Sequence, residues 1–428
     1  MILDSLKNAW KVADLRKKIG FTLLMFLIFR IGAHIPIPFV NHNVLRDMLG
    51  SGSIFDFFDT ISGGSFKRMT VFALNITPYI TASIILQLLT IVIPSLERLA
   101  KEGDYGRKKI TQYTRYGTVI LGFVQGLGLT LGIRNALLIQ SEAWRWPTYL
   151  LITVVLTAGT AFLMWLGEAI TEKGIGNGIS LIIFAGIVSR VPDGLKSIYS
   201  MLKVGEVNAF SVIILVVLAL LVIAGVVYIQ EGQRRINVQY AKRVVGRRVY
   251  GGQSSHIPLK VNQAGVIPII FAISLLAFPQ TISTWMPTSG LAVFVNRWFS
   301  MNGTVYSIPY LVLYGAMILF FTYFYTAVTF NPVDVADNLK KYGGFIPGLR
   351  PGRATADYLA KVLNRITLAG GLFLAVIAVL PSMFIGLTGF KNIYFGGTSL
   401  LIVVGVALDT MKQLESQLMM RHYQGFMK

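Results

Sequence analysis

"GISLIIFAGIVS", residues 178–189, is apolar but short, and Arg190 and Pro192 follow it at once. Whether this piece crosses a bilayer decides how the whole chain is threaded. A hydrocarbon core of roughly 30 Å needs about 20 mostly apolar residues in a helix. Nine other stretches read as spans: 19–38, 72–93, 116–133, 148–169, 210–230, 264–285, 308–329, 366–386 and 396–411. A second doubtful piece, "SIFDFFDTISGG" at 53–64, offers Ile54, Phe55, Phe57, Phe58 and Ile61 for burial. It also carries Asp56 and Asp59, and it stops at Gly63 and Gly64.

Charge decides both cases, because Lys and Arg collect in cytoplasmic loops. Four regions are dense in them: the N-terminus, 97–115, 231–263 and 330–365. If 178–189 spans and 53–64 does not, all four fall on one side, with most of the chain's 39 lysines and arginines. Other assignments put a dense basic loop outside. The pattern predicts an all-α polytopic membrane protein with ten transmembrane helices and both termini cytoplasmic. Segment 53–64 enters from the outer side without crossing. The helices divide as five and five: a cytoplasmic amphipathic segment (1–18), an N-terminal half (19–204), a C-terminal half (205–411) and a tail (412–428). Since five is odd, the halves run through the membrane in opposite senses, and such halves meet at a central site.

Hydrophobic residues make up 54% of the chain and charged ones 14%, with a mean hydropathy of +0.63. A water-soluble domain does not tolerate that balance. The basic opening stretch runs into a span without a small-residue cleavage site, so the first helix is expected to be its own uncleaved signal. There is no cysteine, which excludes disulfides, thiolate metal sites and Cys nucleophiles.

Pumps and solute carriers need ionisable groups at the membrane midplane. Here Arg30, Glu168, Glu231 and Asp409 lie near helix ends, where snorkelling or capping accounts for them. Mid-span polarity is limited to groups such as Asn75, Thr77, Gln87, Gln125 and Gln280. No metalloprotease, nucleophile-elbow or phosphate-loop motif occurs. The chain is therefore read as a non-enzyme without a cofactor or metal. The glycine run "GIGNGIS" at 174–180 reads as a turn, with a weak claim to anion binding. Loops 231–263 and 330–365 far exceed ordinary helix connections, and Val244, Val245, Val249 and Tyr250 argue that the first is ordered. Their basic residues suit anionic lipid headgroups or a cytoplasmic partner with acidic protein surface or RNA phosphate.

Six blocks carry a family resemblance: "PYITASIILQLL" (78–89), "GRKKITQYTRYGT" (106–118), "MWLGEAITEKGIGNGIS" (164–180), "GRRVYGGQSSHIPLKVNQAGVIP" (246–268), "FNPVDVADNLKKYGGFIPGLRPG" (330–352) and "IYFGGTSLLIVV" (393–404). Their order and spacing resemble the bacterial SecY/Sec61-alpha family, the central subunits of protein-conducting channels, over essentially the whole chain. The resemblance implies a central hourglass pore between the halves. It assigns 53–64, with Ile54, Phe55, Phe57, Phe58, Ile61, Gly63 and Gly64, to a short re-entrant plug helix. It assigns Ile76, Ile80, Ile179, Ile183, Ile270 and Ile402 to an aliphatic pore ring, which would resist ions by dewetting. Gln87, Gln125 and Asn262 fall at a lateral gate that opens toward lipid. Arg243, Arg247, Arg248, Lys340, Lys341 and Arg350 fall on the docking surface for the SecA ATPase and the ribosome.

The implied activity is passive conduction of unfolded secretory precursors across the bacterial cytoplasmic membrane, and lateral insertion of membrane-protein precursors. SecA or a translating ribosome would drive it, and SecE-like and SecG-like small membrane subunits and anionic lipids would be partners. The alternative, a secondary transporter for a small solute, shares inverted halves and broken helices but is disfavoured by the empty midplane and the two basic loops. In this Cys-free chain, cysteines at Phe57 and Ile402 are expected to crosslink at rest and to lose the crosslink when a secretory precursor is trapped. A crosslink indifferent to the precursor would make 53–64 fixed structure.

Overall fold

The computed structural model describes residues 10–41, 44, 59, 62–138, 142–205, 208–240, 243–245, 248–250, 254–285, 289–290, 293–295, 308–388 and 397–425. Helices stand on all ten segments read as spans: α1 (Ala13–Gly32), α2 (Thr77–Val92), α4 (Asp104–Gly132), α5 (Arg145–Lys173), α6 (Gly178–Val204), α7 (Ala209–Glu231), α8 (Ile267–Trp285), α9 (Ile308–Thr329), α11 (Arg353–Thr388) and α12 (Gly397–Gly425). Two shorter helices, α3 (Pro94–Lys101) and α10 (Pro332–Lys341), follow α2 and α9. Among the described residues, five helices are individually long and apolar enough to cross a bilayer, or six if α2 and α3 form one span bent by 101°.

The helix limits differ from those read off hydropathy: α1 stops short at Gly32 and α2 begins only at Thr77, whereas other helices run well past the apolar stretch. α4 begins at Asp104, through the charged run, α11 begins at Arg353 and α12 runs to Gly425. Hydropathy marks only the part of a helix that meets lipid. Beyond it the helices continue because they pack on protein: Leu15, Ile175 and Leu414 form a small buried cluster, with Val12, Ile19 and Leu418 against it. α6 likewise passes through Pro192 and ends only at Val204, where Gly205 takes a left-handed φ of 80°.

Buried threonines satisfy themselves within their own helices. Thr153 donates to Tyr149 O at 2.8 Å, Thr157 to Thr153 O at 2.7 Å, and Thr322 and Thr326 each donate four residues back at 2.7 Å. Such bonds let a hydroxyl sit in an apolar interior without a second helix to receive it.

One small antiparallel sheet accompanies the helices, in the order β4–β1–β5. It comprises β1 (Gln233–Tyr240), β4 (Ser254–Lys260) and the two-residue β5 (Gly344–Phe345); β2 (Arg243–Val245) and β3 (Arg248–Tyr250) pair separately. In β1 the residues alternate: Arg235 and Asn237 are exposed while Ile236 and Val238 are buried. Pro258 sits opposite Arg235 on the edge strand β4, a position that loses no ladder bond on its open side. Ile236, Val238 and Leu259 pack with Leu339 of α10, Ile346, and Leu359 and Val362 of α11. Loops 231–263 and 330–365, separate in sequence, thus share one core. Leu259→Ala is expected to cost about 2–5 kcal/mol of local stability, checked as faster limited proteolysis within 231–263 while the membrane helices stay intact.

Candidate functional site

The two halves meet along two seams. On one side α8 packs on α2 and α4, and on the other α12 packs on α6. Between them lies the largest apolar cluster, built from residues of both halves. All six isoleucines expected at a ring belong to it. Ile76, Ile183 and Ile402 are buried, and Ile80, Ile179 and Ile270 are partly buried against the same core.

Local chemistry sets these positions near helix starts. Asn75 adopts φ 52°, a left-handed conformation that asparagine tolerates better than most residues. It turns the chain so that Ile76 caps α2, with Pro78 in the first turn. At α6, Asn177 Oδ1 accepts from Ser180 N at 3.2 Å and caps the helix. Two N–H groups of the turn before it are taken up by neighbouring helices: Ile175 N donates to Thr22 Oγ1 at 3.2 Å, and Gly178 N to Thr171 Oγ1 at 2.9 Å. The glycine run is therefore a structural turn that fastens α5, α6 and α1 together, with these N–H groups spent on protein rather than on an anion. A Cβ on Gly178 would lie 1.9 Å from Gly167 O.

Of the segment expected to plug the core, Ile54, Phe55, Phe57, Phe58 and Ile61 lie outside the described residues, whereas Gly63 and Gly64 are described and buried. Asp59 is fully buried and paired with Arg190 of α6. Arg30, expected to snorkel or to cap a helix end, donates to Gly63 O and to Ser189 Oγ, both at 3.1 Å. Glu168 and Glu231 are likewise paired, with Arg115 and Lys412 at 2.8 Å each.

At the seam closed by α8, Gln87 of α2 and Gln125 of α4 are half-buried. Asn262 is buried, and its Nδ2 donates to Gly265 O at 2.9 Å, closing the turn before α8. Among the described residues no side-chain hydrogen bond joins these three. On the basic loops, Lys340 and Lys341 are exposed in the last turn of α10. Arg350 is exposed, and its carbonyl accepts from Thr355 Oγ1 at 2.9 Å, fixing the loop to the start of α11. Arg243 and Arg248 stand on the paired strands β2 and β3, and Arg247 lies outside the described residues. The shared core adds a feature that the sequence reading missed: exposed Arg234 and Arg235 on β1 and Lys260 on β4 belong to the same body as Lys340 and Lys341. The alternation of "RRINV" was the available signal.

The SecY family pattern matches residues 70–411. This chain belongs to the SecY family. It is 50% identical to the protein translocase subunit SecY of Halalkalibacterium halodurans over 99% of each chain, and 49% identical to that of Bacillus subtilis over the full length of both. Among solved structures it is similar to "The structure of a protein conducting channel", with a TM-score of 0.67 at 22% identity, covering 94% of this chain and 92% of that one. It is also similar to "Sec61 in the Canine ribosome-channel complex from the endoplasmic reticulum", with a TM-score of 0.63 at 21% identity over 94% and 92%. The SecY/Sec61 channel fold is thus that of this chain: mostly helical, with several apolar helices. Gly178→Ala, at the turn that sets Ile179 and Ile183, is expected to cost about 1–3 kcal/mol by overpacking, read as a lower unfolding temperature of the purified protein.

Proposed function

We propose that this chain is the channel subunit of a protein translocase, a passive conduit for unfolded polypeptides and for lateral insertion of membrane proteins. The observation that carries this reading is the end-to-end likeness to bacterial protein translocase subunits. The two five-helix halves, 19–204 and 205–411, would form the walls, and the segment around 53–64 the plug. Ile76, Ile80, Ile179, Ile183, Ile270 and Ile402 would form the constriction. Their membership of one apolar core shared by both halves supports this. An aliphatic ring makes no sequence-specific hydrogen bonds, so it accepts many polypeptides while remaining dry at rest.

The seam of α8 with α2 and α4 would be the lateral gate, in its closed packing, with Gln87, Gln125 and Asn262 along it. The cytoplasmic body of β1, β4, α10 and the Arg350 loop would receive SecA and the ribosome. The net charge of +20 and the exposed arginines and lysines on that body suit phosphate and carboxylate surfaces. Small membrane subunits resembling SecE and SecG would complete the assembly in a bacterial cytoplasmic membrane, with both termini cytoplasmic.

The test is reconstitution of the chain with such subunits into proteoliposomes, adding SecA, ATP and a secretory precursor. Precursor should become protected inside the vesicles only when all are present, and no protection would overturn the reading. Arg350→Glu is expected to lower the protected fraction at least tenfold, on the order of the loss of one charge-assisted contact, with unchanged protein in the membrane. In the same vesicles Ile183→Asn with Ile402→Asn is expected to raise resting ion leak, measured by dye release, because polar side chains let the constriction wet.

A further inference from the structure

Asp59 is the one acidic residue in the described part of the plug segment, and it is fully buried. A carboxylate excluded from water has to be met by a cation and by donors. Arg190 Nη2 pairs with its Oδ2, and Lys67 N donates to its Oδ1 at 2.8 Å. Its backbone is held as well: Gly64 N donates to Asp59 O at 2.8 Å, and Ser62 Oγ to the same oxygen at 3.1 Å. The tight turn that makes this possible puts Gly63 at φ 68° and Gly64 at φ 88°, where a side chain would be strained. A Cβ on Gly63 would also lie 2.7 Å from Ser189 Oγ.

A second arginine acts on the same turn from another helix. Arg30, in the last turn of α1, bridges Gly63 O and Ser189 Oγ. Asp59 and the turn at 62–64 are therefore gripped between α1 and α6 by polar and ionic bonds. Arg190 also faces Asp193 at 3.7 Å, and Arg68 lies within electrostatic reach of Arg30. Three arginines thus gather at the seat; Asp193 offsets them from α6 itself, and Asp59 adds its charge only while the segment is in place.

We propose that Asp59, Arg190 and Arg30 form a charged latch whose release is a separate step in channel opening and sets how readily the channel opens. This rests on the channel reading above. Moving the segment separates Asp59 from Arg190 and uncovers Arg30, so the latch resists displacement in proportion to the strength of the pair. The apolar residues of the plug would set how well it seals, and the latch how hard it is to unseat.

The test uses the Cys-free chain with Ser62→Cys, a buried position inside the latch turn, in nanodiscs with its small membrane subunits. Labelling by a charged maleimide reads how often the turn opens and needs no transport. Asp59→Asn and Arg190→Gln are each expected to speed labelling at least about tenfold, since breaking a buried pair leaves an uncompensated group. Either reversal alone, Asp59→Arg or Arg190→Asp, sets like charges against each other in the seat and is expected to speed labelling as well. Should Asp59→Asn fail to accumulate, Arg30→Gln, which leaves the buried carboxylate paired, carries the same expectation. Unchanged labelling in the single variants overturns the latch, whatever the protein transports. Faster labelling with greater ion leak, and easier export of precursors with weakened signal sequences, supports it. Faster labelling with neither effect overturns the channel reading of the segment, and with it the latch's role in opening.

Discussion

A buried carboxylate tolerates little freedom in its surroundings, and much of the site follows from meeting that demand at Asp59. Arg190 has to come from α6, so the middle of that helix must lie beside the turn at 62–64. Arg30 has to come from α1 to satisfy the Gly63 carbonyl, so α1 must end at that level. The N-terminal half is thereby assembled around a piece of irregular backbone. In a membrane such backbone survives only where protein supplies its hydrogen bonds. The same rule operates at the other end of α6, where Thr22, Thr171 and Asn177 take up the N–H groups of the glycine turn.

The ten helical segments were legible because a bilayer imposes a length and an apolar composition that few other structures share. Charge then separated the short span at 178–189 from the non-spanning piece at 53–64. What hydropathy could not show were the helix extensions beyond the apolar stretches, since residues such as Leu15 and Leu414 pack on protein at single positions rather than in runs. Arg30 was misread for a related reason. A cation near a helix end ordinarily reaches for water, and only the tertiary arrangement reveals a carbonyl and a hydroxyl nearer at hand.

The isoleucines illustrate another limit. An isoleucine in a membrane helix faces lipid, packs in the interior or lines a path, and its sequence surroundings are alike in all three cases. Family resemblance picked out six of them, and the structure gathers those six into one core that extends well beyond them. The basic loops were legible as ordered but not as joined. Joining depends on Leu339, Ile346, Leu359 and Val362 meeting Ile236, Val238 and Leu259 across about a hundred residues of chain, a pairing that no local pattern encodes.

α11 is 36 residues long, from Arg353 to Thr388, with Pro381 in its final turns, about 54 Å at the usual rise per residue. Its first turns are built into the core under the basic sheet, and its later turns run among the membrane helices. The β1–β4 ladder and the Arg350 loop are both fastened to its first turns. Force applied to the body of β1, β4 and α10 is therefore passed along a helix whose residues 373–379 pack among the membrane helices. A load on that surface would tilt a wall rather than merely rest on a rim.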